Sequence, residues 1–404
     1  MNRRTFLQTS SALATLGLAG CTPRIAPTSA ATAPTLPWYD APTSIPPIQA
    51  DIDRIFRITV CLRPFRAAGP RLEAERVGDK LVIHNYGHGG SGWSLSWGYA
   101  QRAVDMARGA AMSSRDLAII GCGALGLTAA LTAQRAGFKV TIYAKERPPF
   151  VRSARATGSW TPDSRVGLTY AVSPYFAADW ESTARASFAM YQSFLGMPGS
   201  PIEWTDRYDL SDGPSAAPYY NPPPNTVRHD FIHLNNRIAD LTPAYREMPP
   251  GSTPFPTKIV RRSSSLTFNV ADYSRQLLND FLIAGGQIET REFFTPQDLT
   301  ALPQPVLIHC TGYNARHLFS DDSIIPIRGQ IAWLIPQEGV NYGFYYHQLN
   351  VLARRDGIVI QPTPQGEETG WNDANEQPDR AEAEAGVRQL QALYARMAPG
   401  SPRS

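Results

Sequence analysis

The chain has 404 residues, enough for two domains with sizeable cores, and 43% of it is hydrophobic, an ordinary share for a globular protein. A formal net charge of +3, with no basic run of five or more outside the extreme amino end, gives no argument for a nucleic-acid partner. The four cysteines, at 21, 61, 122 and 310, form no CxxC or His-Cys cluster, so no metal is expected. Cys61, Cys122 and Cys310 lie in apolar, strand-like contexts and read as buried thiols rather than a disulfide framework.

The amino end, "MNRRTFLQTSSALATLGLAGC" (residues 1–21), reads as a targeting segment. Arg3-Arg4 followed by "TFLQ" resembles the twin-arginine export signal, and "LAGC" resembles a lipobox that would leave Cys21 lipidated. The apolar run from Ser11 to Ala19 is too short for a permanent span, which needs about 20 residues. Export to the periplasm or cell envelope is therefore expected, with the membrane touched only through a lipid anchor at Cys21. Residues 22–50 are rich in Pro, Thr and Ala without apolar periodicity and read as a linker, so the globular fold should begin near Asp51.

Beyond it, "RIFRITVCLRP" reads as a strand, and the glycine-rich "VIHNYGHGGSGWSLSWG" leads into a helix ending near "MARG". Next comes "LAIIGCGALGLTAALTAQRAGFKVTIYAKE", a buried strand, a GxGxxG turn, a helix and a second parallel strand. In that turn Gly121 permits the tight bend, Gly123 lets a pyrophosphate approach the backbone, and Gly126 lets the helix pack on the strand, with the helix amino end facing the phosphates. A helix follows at "NVADYSRQLLNDFLIAGG", a strand at "VLIHCTG", a hairpin at "GFYYHQLNVLARRDGIVIQPT" and a last helix at "RAEAEAGVRQLQALYARM". "YYNPPPN" reads as loop.

These motifs together resemble the D-amino acid oxidase family of FAD-dependent oxidoreductases. The acid that usually ends the second strand is replaced by Ala144, with polar Lys145 and Glu146 after it, a pattern similar to the D-amino acid oxidase branch rather than sarcosine or glycine oxidases. The resemblance implies that "VRSARATGSWTP" contacts the flavin, Ser153 at a phosphate and the backbone from Thr157 through Gly158 to Trp160 along the isoalloxazine. Thr311 and Gly312 would meet the adenine half, and Pro326, Gly329 and Gln330 mark the entry to the substrate domain. Gly89, Gly90 and Gly92 would lie against the flavin's pyrimidine edge, with Ser94 bonding a carbonyl oxygen there. Arg63 in "LRPFR" would grip the substrate carboxylate, whereas Arg66 and Arg71 read as structural, as do His84 and His88. Tyr346 matches the family tyrosine over the substrate side chain. Asn350 stands where a second tyrosine bonds the carboxylate, and Gln361-Pro362-Thr363 replaces Gly-Gly-Thr.

The family order is not kept: the Arg-Pro and Gly-His-Gly-Gly segments precede the glycine loop, so the chain reads as circularly permuted. The expected fold is α/β, an FAD-binding Rossmann-type domain (76–185 and 256–318) with a mixed-sheet substrate domain (51–75, 186–255 and 319–404). The function implied is oxidative deamination of a D-amino acid or similar small amine carboxylate by hydride transfer to flavin N5, with oxygen or a quinone as acceptor. The alternative is an exported flavin-binding lipoprotein that has lost turnover and serves as a binding or assembly module.

Overall fold

A computed structural model of the chain describes residues 45–110, 114–213 and 228–397. The export signal and Cys21 lie outside them. In chain order the strands are β1 (Ile55–Arg66), β2 (Arg71–Val77), β3 (Lys80–Tyr86), β4 (Asp116–Ile120), β5 (Lys139–Ala144), β6 (Ile202–Ser211), β7 (Arg246–Glu247), β8 (Ile259–Phe268), β9 (Gln287–Thr290), β10 (Val306–His309), β11 (Ile324–Leu334), β12 (Tyr342–Tyr346), β13 (Leu349–Arg354) and β14 (Gly357–Pro362). The helices are α1 (Gly92–Ala110), α2 (Ala124–Arg135), α3 (Phe176–Gln192), α4 (Val270–Ile283), α5 (Ala315–Leu318) and α6 (Arg380–Ala395).

The strands form two sheets. One runs β2-β3-β10-β4-β5-β9 and is parallel except for β2; the other runs β1-β11-β14-β13-β12-β6-β8-β7 and is mixed. The parallel strands are short apolar runs, as burial on both faces requires: "LAII" of β4 and all of β10 are buried. On one face α1, α2 and α4 pack together, and Trp97 Nε1 of α1 donates to the Tyr273 hydroxyl of α4 at 2.7 Å. Small residues let the helices close up. A Cβ on Gly126 would collide with the Gly121 carbonyl oxygen, which is why α2 can sit directly over the turn that starts it.

The chain crosses early between the sheets. β1 runs antiparallel to β11, pairing Arg63 with Ile327, and after a tight turn at 67–70 the chain enters β2 of the other sheet, where β3 lies parallel to β10. Three sequence boundaries shift accordingly. The crossing falls at 66–71 rather than 75, and β8, placed by sequence with the cofactor half, lies antiparallel to β6 in the mixed sheet. The fold also begins before Asp51. Ile45 and Ile48 are buried in the core between the mixed sheet and α6, and Tyr342 Oη donates to the Pro46 carbonyl at 2.8 Å, so the Pro-rich composition conceals an apolar anchor.

Candidate functional site

The two sheets meet around a cavity of about 690 Å³ lined from both sides. On the parallel-sheet side the glycine loop after β4 carries Gly121 at φ +110°, open only to glycine without strain. Gly123 caps α2 with no side-chain partner, so the helix's first amides and positive dipole end face the cavity. Ser153 Oγ reaches in to accept from Ala124 N at 3.1 Å. Cys122, Lys145, Glu146, Thr311 and Gly312 continue this wall, with Lys145 exposed and paired to Glu292 at 2.7 Å. Behind Thr311 runs a buried chain: its hydroxyl lies 2.6 Å from His309 Nε2, and His309 Nδ1 lies 3.0 Å from His84 Nδ1. Burial pushes the pKa of both imidazoles down, with Glu75, 2.9 Å from His84 Nε2, opposing the shift at His84.

A second wall comes from the turn between β3 and α1, with Gly89, Gly90 and Gly92, facing Thr157 and Gly158. Arg354, buried, holds that facing segment by donating Nη1 to the carbonyls of Ala156 (2.8 Å) and Thr157 (3.2 Å) while Asp356 neutralises its charge. Thr157 Oγ1 donates to Gln361 Oε1 at 2.7 Å, tying this wall to the mixed sheet. Ser94 does not line the cavity. Its buried hydroxyl accepts from Thr161 N at 2.8 Å, so it fixes the backbone of a residue in the cavity wall instead of lining the cavity itself.

The mixed sheet supplies the third wall and the charge. Arg63 on β1 is bedded over Gly329 of β11, where a Cβ would collide with its guanidinium, and Nη1 donates to the Arg328 carbonyl at 3.3 Å. Burial draws its pKa down, with the nearby Cys61 opposing. Among the described residues no carboxylate pairs with it. Arg66 and Arg71, read as structural, pack with Asp321 and Ser323 and with Glu73, Glu75 and Tyr86 outside the cavity.

Tyr346 is not at the cavity. Its hydroxyl bonds Asp212 at 2.8 Å and accepts from Arg396 Nη2 at 2.7 Å on the other face of the sheet. Side chains alternate along a strand, so the neighbour Tyr345 takes the cavity face, directly opposite Asn350 on β13, which is in turn opposite Gln361 on β14. Asn350 does line the cavity, but its Oδ1 accepts from Arg207 Nη2 at 3.1 Å. Arg207 on β6 and the buried Arg165 also face the cavity and were not singled out from the sequence. Arg165 is held by the carbonyls of Glu367 (2.7 Å) and Gly366 (3.1 Å), and burial together with Arg63 lowers its pKa to about 10. Alternating polar residues in "EWTDRYD" are the only sequence signal for Arg207, and solvated strands show the same pattern.

The family model described as DAO, FAD dependent oxidoreductase, matches residues 116–402. The chain is 26% identical over 302 residues to a D-amino-acid oxidase of Rubrobacter xylanophilus, covering 69% of this chain and 77% of that one. It is 25% identical over 294 residues to a D-amino-acid oxidase of Streptomyces coelicolor, with the same coverages of 69% and 77%. A shorter match, 48% identical over 61 residues, joins 14% of this chain to 16% of a D-aspartate oxidase of Talaromyces thermophilus.

Proposed function

The chain belongs to the DAO family of FAD-dependent oxidoreductases, and on that premise we propose that it oxidises the α-carbon of a D-amino acid, or of a similar small amine carboxylate. The cavity suits FAD: the bend at Gly121, the close approach at Gly123 and the amino end of α2, where Gly123 brings no capping side chain and Ser153 Oγ takes the Ala124 amide, leave room and donors for a pyrophosphate. In this reading Gly121, Gly123, Gly126 and Ser153 hold the phosphates, and Lys145, Glu146, Thr311 and Gly312 surround the adenosine half. Thr157, Gly158, Gly89, Gly90 and Gly92 line the isoalloxazine. FAD, when bound, accepts the hydrogen and electron pair that leave the substrate carbon as hydride.

The protein's own part is to hold and aim. Arg63 pairs with the substrate carboxylate through two parallel hydrogen bonds, a geometry its planar fork matches. Tyr345 covers the substrate in place of the expected Tyr346, and Asn350 acts by fixing Arg207. The imine left by oxidation is hydrolysed by water to an oxo acid and ammonia, and the electrons pass on to oxygen or a quinone. The observation that carries this reading is Arg63 itself, a half-buried cation with one backbone partner and no carboxylate beside it among the described residues, lining the cavity together with the glycine turns. Anaerobic mixing of the yellow protein with D- and L-amino acids, glycine and sarcosine tests it. Bleaching of the flavin by a D-amino acid is expected, and no bleaching by any of them overturns the reading.

Two further readings belong to this proposal. The first is circular permutation. Its support is that β1, β3 and α1 precede the matched span 116–402 yet complete both sheets, and that Tyr342 Oη touches both Pro46 and Tyr394, where the chain enters and leaves. The second is export through Arg3-Arg4 with a lipid anchor at Cys21, supported by those sequence motifs. Among the described residues no helix is long and apolar enough to cross a membrane.

A further inference from the structure

Arg207 repeats the arrangement of Arg63 a few strands away. It lies on β6 against Gly343 of β12, its register partner, where a Cβ would collide with Nη1 just as a Cβ on Gly329 would collide with Arg63. Both arginines line the cavity, both are half-buried, and burial draws the pKa of each down. Nη2 has the neutral oxygen of Asn350, and Nη1 is buried with no hydrogen-bond partner. No carboxylate pairs with Arg207 among the described residues, and the sequence 214–227 that follows β6 contains no Asp or Glu. A guanidinium desolvated against one neutral acceptor is a poor arrangement for stability alone, since burial of a charge is repaid only by a well-placed opposite charge. The acidic residues of β6 have other cations: Glu203 pairs with Arg355, Asp206 with Arg262, and Asp209, on the same face as Arg207, with Arg261.

We propose that Arg207 is a second anion-binding position, which receives an acidic group on the substrate side chain while Arg63 holds the α-carboxylate. This rests on the reading of Arg63 given above and deepens it: the substrate class is amino acids carrying a side-chain carboxylate. Asn350 is a positioning residue that holds the fork through Nη2, and Gly343 gives it a flat bed. A neutral substrate leaves the Arg207 charge uncompensated, so the pocket discriminates by penalty as well as by attraction.

The test has a catalytic and a binding arm. In the first, flavin bleaching rates are compared for D-aspartate, D-glutamate and D-alanine in the native protein and in Arg207→Ala, Arg207→Lys and the control Arg66→Ala. Expected is a preference for an acidic substrate that falls by roughly a hundredfold or more in Arg207→Ala, the scale for removing one member of a buried charged pair. Lys recovers part of it, and Arg66→Ala keeps it. In the second arm, succinate and propionate are titrated against the flavin spectrum, and succinate should bind more tightly only where Arg207 is present. FAD content of each variant reports folding, and Arg207→Lys keeps the test alive if Ala does not fold. Bleaching by neutral D-amino acids with no acidic preference, or equal binding of succinate and propionate, overturns this inference and leaves the Arg63 reading standing. No bleaching by any amino acid overturns both.

Discussion

Substitution of Gly329 by alanine separates the proposed carboxylate clamp from the fold. The added Cβ would overlap the end of the Arg63 side chain, not backbone, so the flexible arginine should give way while β11 stays in register. Gly329 has no left-handed φ, and at such a site Gly→Ala gains about 0.4–1 kcal/mol through the unfolded chain. Against that stands the Arg63 bond to the Arg328 carbonyl, a single net hydrogen bond of about 1 kcal/mol. Stability should therefore change by no more than about 1 kcal/mol. Binding should change much more: displacing the fork removes at least one hydrogen bond to a charged group, about 1.5–3 kcal/mol, which at ~1.4 kcal/mol per decade is roughly a ten- to 150-fold weaker carboxylate. The assay is titration of propionate against the flavin spectrum, with thermal unfolding and FAD content measured on the same sample. An FAD-replete Gly329→Ala protein that binds propionate as well as the native one would refute the role given to Arg63.

Gly126→Ala meets backbone instead: its Cβ would strike the Gly121 carbonyl, so it should lose FAD and about 1–3 kcal/mol of stability, read by flavin content and urea unfolding. His88 is buried with its pKa pushed down to about 3, so it stays neutral in the folded chain while the unfolded chain takes up a proton near 6.5. Its contribution to stability is full above pH 6.5 and is lost as pH falls toward 3, by roughly 2 kcal/mol between pH 6.5 and 4.5. His88→Gln should lose about that much less on acidification, and equal acid sensitivity in urea unfolding at the two pH values would show the assignment to be wrong. A chain recut to start at Ser114, with Met397 joined by a short linker to Ile45, should fold and bind FAD if the family order lies beneath the present one; an insoluble or colourless product would count against permutation. Arg3-Arg4→Lys-Lys should trap the protein in the cytoplasm and Cys21→Ser should free it from the membrane, as cell fractionation would show; unchanged attachment in the Cys21 variant would make its lipobox a coincidence.

What could be read from the sequence was mostly backbone. The glycine turns at Gly121 and Gly89 declare themselves because few residues tolerate their φ, and the strand-turn-helix spacing around them leaves little freedom. Side-chain direction was harder. Tyr345 and Tyr346 are adjacent and identical, and a slip of one residue sends the wrong ring to the cavity. Ser94 sits in the right motif, but nothing in the sequence shows that Thr161 already takes its hydroxyl. Arg207 was invisible for a similar reason: whether a strand arginine is solvated or buried depends on partners far along the chain, here Asn350 and Gly343. Ile45 and Ile48 were hidden by the prolines around them.

The pairing of β1 with β11 also has a temporal side. Arg63 and its ladder partner Ile327 are 264 positions apart, so at about 5–20 residues per second the ribosome takes roughly 13–53 s to make the second after the first. During that interval the strand bearing Arg63 has no edge to join and presents Val60, Leu62 and Phe65, buried in the finished protein, to whatever is near. The nascent chain must therefore be shielded for most of its synthesis, and slow translation lengthens its exposure to aggregation.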